Sequence, residues 1–298
     1  MTERKDEEIR VVYRGTYEDT PDNKIIRIED GILEIAENAF RDFTYLEEIH
    51  LPRGLEYISA CAFAGCKNLR RVVMGHGLLE IGDEAFSSCS SLTGITMPDT
   101  VKRIGEGAFE ACVSLTHLRL SESIYMIGAG AFAFCFNLTD VTVPDSCVLI
   151  EFNAFASCFA LEAVRLSNNM GLIDDNTFDG CRSLVTVDMP AKLKKIGRSA
   201  FRGCTALRSL ILPVGVEMIG LDAFSGCTSL SRIAIPKGMR ELEDMEVFGG
   251  CDSLSTVSYG GNENGWKMLT RGGVLTVTHS DLSVSTPKII FMDLKDEI

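Results

Sequence analysis

Eleven cysteines and four histidines are the residues of this 298-residue chain with the strongest intrinsic chemistry. Nine of the cysteines, Cys66, Cys89, Cys112, Cys135, Cys158, Cys181, Cys204, Cys227 and Cys251, recur at nearly even intervals. A zinc or redox centre would bring pairs close together, as in C-x-x-C, and no such pair occurs. Even spacing instead describes a column of small buried hydrophobes, one per structural repeat, in which a serine hydroxyl would find no partner. Cys147 stands in a column held elsewhere by Val101 or Ile124, and Cys61 at a position that is otherwise polar (Asn38, Glu84, Asn153). His50 and His117 fall three repeats apart, about 14 Å in a stacked sheet, too far to share an ion. Gly105-Glu106-Gly107 and Gly128-Ala129-Gly130 look like pieces of a phosphate loop. Both recur as a turn of the repeat, and neither completes a fingerprint. No Ser/His/Asp or Cys/His grouping is visible, so neither catalysis nor a metal or cofactor is expected.

One period sets the elements that carry these residues. Phe40, Phe63, Phe86, Phe109, Phe132, Phe155, Phe178, Phe201 and Phe224 follow one another at 23 residues, and Phe248 follows after 24. The cysteines come three after the Phe, with Phe43 in the first repeat, and a leucine comes six after it, from Leu46 to Leu230. Apolar residues nine and eleven after it (Leu118 and Leu120, Val141 and Val143) alternate with polar ones, which is strand chemistry. Pro98, Pro144 and Pro190 close such strands, where no further ladder donor is needed. A second apolar pair such as Val101 and Ile104 precedes Gly105, which permits a sharp turn into a short helical piece carrying the Ala-Phe. A fixed period of this length describes a solenoid, because no coil can bury its own apolar face and each must stack on the next. Ten coils at the strand spacing of ~4.8 Å make a rod roughly 50 Å long.

The form ΦxxIGxxAFxxCxxLxxΦxΦP, with Φ apolar, resembles the BspA-like leucine-rich repeat, also called the Treponema type, over about residues 24–259. That resemblance implies an α/β repeat solenoid: a right-handed leucine-rich-repeat arc with a parallel β-sheet on the concave face and short extended and helical pieces on the convex side. It also implies adhesion or protein binding, since members of that family mostly bind proteins or surfaces.

The chain divides into a tail and cap strand over 1–23, the solenoid over 24–258 and a C-terminal cap over 259–298. Residues 1–8 are a charged tail, and Ile9–Tyr13 is expected to open an N-terminal hairpin that covers the first coil. In the C-terminal cap a short helix over 262–269 carries Trp266, and Trp266 and Phe291 are expected to close the core. A formal charge of −13 disfavours nucleic acid and anionic lipid as partners. No apolar run approaches the ~20 residues of a membrane span. The start, MTERKDEEIR, lacks the apolar core of a secretory signal, so a cytoplasmic protein is expected. The alternative, from the resemblance, is a secreted or cell-surface adhesin that binds host or matrix molecules.

Two surfaces are candidates for binding a protein or peptide. Positions seven, eight and ten after each Phe face out from the concave sheet, where Glu47 lies beside Arg70, Glu48 beside Arg71, His117 beside Asp140 and Arg165 beside Asp188. For a polar ligand there, the expected residues are His117, Arg119, Asp140, Arg165 and Asp188. The second surface is apolar and confined to 125–160. Phe134, Phe136, Phe152 and Phe159 replace small, polar or charged residues of the same columns, and Tyr125, Met126, Val148 and Leu149 depart from the repeat likewise. An exposed apolar patch on an acidic chain is expected to be covered by a partner or by a second copy across a two-fold axis.

Overall fold

A computed structural model of the chain describes residues 12–244 and 246–292. The charged tail, Ile9–Val11 and Leu294 lie outside the described residues. The structure is a stack of parallel coils, each contributing a strand of three residues (four in Arg232–Ile235 and Thr256–Tyr259) and then, in most coils, a two-residue strand. In coil after coil the partner is the residue one repeat away: His117 opposes Gly94, and Ile127 opposes Ile104 on one side and Ile150 on the other. The two-residue strands form a seven-stranded sheet from Val12–Tyr13 to Leu149–Ile150 and a four-stranded one from Leu172–Ile173 to Glu241–Leu242. The longer strands, of three or four residues, line the other face in four segments, the last closing with Lys288–Phe291.

The third side of each coil departs from the expected helical piece. Among the described residues one α-helix exists, Glu263–Leu269, and it lies in the cap. In nine coils the residues two before and two after the marker Phe have left-handed backbone, as at Gly107 (φ 57) and Ala111 (φ 56) around Phe109. This alternation points every second amide along the stack: Gly107, Phe109 and Ala111 donate to the carbonyls of Ala129, Ala131 and Ala133 at 2.8, 2.8 and 2.9 Å. The intervening amides close three-residue turns within their own coil, such as Glu110 N to Gly107 O at 2.9 Å. A helix would have used all of these donors internally, so the turn joins coils where a helix would not.

Ten marker phenylalanines, Phe40 to Phe248, are fully buried. Their rings stack nearly parallel with centroids 5.0 to 5.8 Å apart. The cysteine column is buried beside them as expected, but it is not purely apolar. Each thiol donates to the Phe carbonyl of the preceding coil, Cys66 to Phe40 O at 3.0 Å and Cys112 to Phe86 O at 3.2 Å, through to Cys251 and Phe224 O at 3.1 Å. Each bond is a weak one, repeated along the stack.

Both ends differ from expectation. Val12–Tyr13 runs parallel to Glu34–Ile35 and makes no hairpin. Tyr13 stacks on Phe40 at 5.1 Å and extends the ring ladder by one, and its hydroxyl accepts the Thr16 amide at 2.8 Å. At the other end Asn262 caps the helix by accepting from Gly265 N at 2.9 Å, and Trp266 is buried against Tyr259. Phe291 does not close the core. It pairs with Tyr259 in register but is 41% exposed on the last described strand, while Leu275 and Val277 are the buried residues there.

Candidate functional site

On the long-strand face, His117, Arg119, Asp140, Arg165 and Asp188 are all exposed. Arg165 and Asp188 are register neighbours, yet the expected row of neighbouring ion pairs is only partly formed. Glu48 does meet Arg71 at 3.7 Å, whereas Glu47 takes Lys24 at 2.9 Å. His117 Nδ1 lies 2.7 Å from Thr116 Oγ1. The two arginines lean back to the turn of the preceding coil: Arg119 donates to Asp99 at 2.9 Å and to Met97 O at 3.1 Å, and Arg165 approaches Asp145 to 3.7 Å. Asp145 also accepts the Asn168 amide at 2.9 Å, which holds its carboxyl below the usual range. The signal was available in sequence as Pro98-Asp99 and Pro144-Asp145. These arginines are therefore engaged within the turns, and the five predicted residues do not converge on one point.

The apolar residues fall into two groups. Tyr125 and Val148 (48% and 53% exposed) and the half-buried Met126 and Leu149 are neighbours on the outer side of the two-residue strands. The aromatic group is built by ring contacts: Phe136 stacks on Phe159 at 4.8 Å, and Phe134 meets Phe136 edge-on at 6.3 Å. The Arg182 guanidinium sits 4.7 Å over Phe159. Phe134 and Phe152, 42% and 49% exposed, line a groove of about 300 Å³ together with Ala129, Ala133, Glu84, Glu106 and Glu110. Burial, then the Glu84 and Glu106 carboxylates, push the Glu110 carboxyl above its ordinary value.

A polar cluster that sequence reasoning missed lies in the C-terminal cap. Ser285 Oγ is 2.7 Å from His279 Nε2, and His279 Nδ1 is 3.6 Å from Asp252. The order resembles a nucleophile, base and orienting acid, but 3.6 Å is beyond hydrogen-bond distance. Both Asp252 oxygens are taken by Ser280, from its amide at 2.9 Å and its hydroxyl at 2.7 Å. The cluster fastens the antiparallel hairpin of Val277–Thr278 and Val284–Ser285 to the last coil. Spacing alone could not reveal it, because the hairpin brings its members together.

A family model described as "BspA type Leucine rich repeat region" matches residues 11–135 and 125–255, in six copies. The chain belongs to the BspA-type leucine-rich repeat family. Among solved structures it is similar to a leucine-rich repeat protein from Bacteroides ovatus, at 25% identity over 91% of this chain and 84% of that one, TM-score 0.48. It is also similar to the Treponema pallidum leucine-rich repeat protein, at 30% identity over 62% and 78%, TM-score 0.47. A leucine-rich repeat protein from Eubacterium ventriosum matches at 18% identity over 74% and 80%, TM-score 0.50. No curated protein matches the chain. No described helix is long and apolar enough to cross a membrane.

The BspA-type coil shows what its aromatic positions require. Phe134 occupies the left-handed position two after the marker, at φ 61, where Gly65, Gly180, Gly203, Gly226 and Gly250 stand in other coils. An L-residue there costs roughly 1–2 kcal/mol of backbone strain. Phe152 stands where the preceding coils have Ala129 and Glu106. Stacking of the coils asks for neither ring.

Proposed function

We propose that this BspA-type solenoid is a non-catalytic scaffold that binds a protein or peptide through the aromatic surface of residues 125–160, with the exposed polar residues of the long-strand face as an accessory surface. The observation that carries this reading is Phe134: a large ring, exposed, on a left-handed backbone position that the repeat elsewhere gives to glycine or to a small or polar residue (Asp42, Ser88, Ala111, Ser157). Burying two such rings contributes on the order of 2 kcal/mol each to an interface, enough to make them anchors. A second copy of the chain is the alternative occupant, and sedimentation distinguishes the two. The test replaces Phe136 and Phe159 with serine and compares partners cross-linked in the native cell, together with the sedimentation of the purified chain. The expected result is loss of a partner or of a dimer, with circular dichroism unchanged. Identical partners and an identical sedimentation coefficient for both proteins overturn the reading.

A further inference from the structure

Resting on that reading of the aromatic surface, we propose that the groove between Phe134 and Phe152 seats a cationic side chain, an arginine or lysine flanked by apolar residues in a partner peptide. The apolar walls are the two rings with Ala129 and Ala133, and the groove holds about 300 Å³. Charge selects the occupant. Four carboxylates line the groove, and among the described residues three of them, Glu84, Glu106 and Glu110, have no cationic partner. Asp179, which lines the far end of the groove, is by contrast neutralised by Arg202 at 2.6 Å, as Glu80 is by Arg103 elsewhere on the solenoid. Glu84 and Glu110 come from adjacent coils and converge over Gly107, where a β-carbon would stand 3.4 Å from each side chain. The desolvated Glu110 carboxyl, its proton affinity raised by burial and by these neighbours, is the group a bound cation would relieve.

The neighbouring surface already contains the interaction in internal form, with Arg182 lying 4.7 Å over the face of Phe159. A guanidinium between Phe134 and Phe152 would combine that ring contact with charge-assisted bonds to the carboxylates. Other occupants fit less well. An anion meets three like charges. A metal ion lacks a ligand set, since no described group of three His, Cys, Asp or Glu could hold one. A second copy across a two-fold axis would bring this acidic rim against itself.

The test uses the full chain and three dye-labelled pentapeptides of leucine with a central arginine, glutamine or glutamate, read by fluorescence anisotropy at low salt. Wild type should bind the arginine peptide at least ten-fold more tightly than the glutamate peptide, and this preference should fall as salt rises. Glu84→Gln with Glu110→Gln should abolish the preference. Phe134→Gly with Phe152→Ala, both residues the repeat itself uses there, should weaken all three peptides while leaving the circular dichroism unchanged. Equal binding of the three peptides by wild type, or no binding of any, overturns the cation seat. If wild type binds the three peptides equally and the phenylalanine variant loses that binding, the scaffold reading stands and only its charge selectivity is wrong. If the phenylalanine variant binds like wild type, the aromatic surface is not the site and both readings fail.

Discussion

Alkali should unfold this solenoid abruptly, because its thiol column cannot ionise in place. Burial pushes Cys66 up to about 12 and drives Cys89, Cys112, Cys135, Cys158 and Cys181 well above the ordinary 9.0. Burial raises Cys204 as well, and Cys227 is raised by a hydrogen bond with Cys251 and by burial. In each case the fold favours the protonated thiol. The contribution is therefore fully present below pH 9 and is lost as the pH climbs toward the folded values. At pH 10 an exposed thiol in the unfolded chain gains about 1.4 kcal/mol by ionising, a gain the buried thiol forgoes. Eight such thiols together remove roughly 11 kcal/mol, comparable with the whole stability of an ordinary domain. Urea midpoints at pH 7, 8, 9 and 10 under reducing conditions, followed by circular dichroism, measure the loss. The column should contribute close to eight protons released per unfolding event, Cys147, pushed up to about 11 by burial, should add one more, and Cys112→Ser should lower the slope by one. A midpoint at pH 10 close to that at pH 7, or a slope of one or two protons, would show that the column ionises within the fold and is open to solvent.

Two further outcomes follow from the packing. Phe86 O accepts both the Cys89 amide and the Cys112 thiol, so Cys112→Ser keeps a donor where Cys112→Ala, at about 1–2 kcal/mol, does not. Ser should cost no more than Ala in urea unfolding, and a clearly less stable Ser variant would restore a purely apolar column. Phe109→Ala opens a cavity between rings 5.2 and 5.3 Å away and should cost about 3–5 kcal/mol. Phe159→Ala, half-buried between Phe136 and Arg182, should cost about 1 kcal/mol by the same measurement; equal losses would place both rings in the core.

The stack was legible because burial repeats. Each Phe, Leu and Cys column meets the same surroundings in every coil, so a 23-residue period states the core residue by residue. Backbone handedness was less visible. Asn38, Glu84 and Ser199 all adopt φ > 0, although only glycine advertises it, because hydrogen bonds between coils hold these residues there. Side-chain partners on the long-strand face were misplaced for a related reason. Column arithmetic sees the neighbour one repeat away, whereas Arg119 and Arg165 reach the preceding turn. The caps, which have no period, were read least well: Tyr13 joins the ring ladder and Phe291 stays outside it. Of the candidate surface, the departing aromatic residues stood out against the repeat, while the carboxylates beside them did not, since Glu84, Glu106 and Glu110 come from two coils and different columns.

From Phe40 to Phe201, the backbone amides two before, at and two after each marker Phe all donate one way, to the coil that follows. A unit removed or duplicated whole leaves every donor facing an equivalent acceptor, so the length of such a chain is free to drift by entire coils. Its terminus is not free in the same way. Whatever follows the last coil must supply an acceptor, as the Thr278 carbonyl does for Gly250 N at 2.6 Å. Recombination can therefore add or delete coils in the middle of the gene while the segment encoding the hairpin stays in place, each coil adding or removing one unit and one interface of stability.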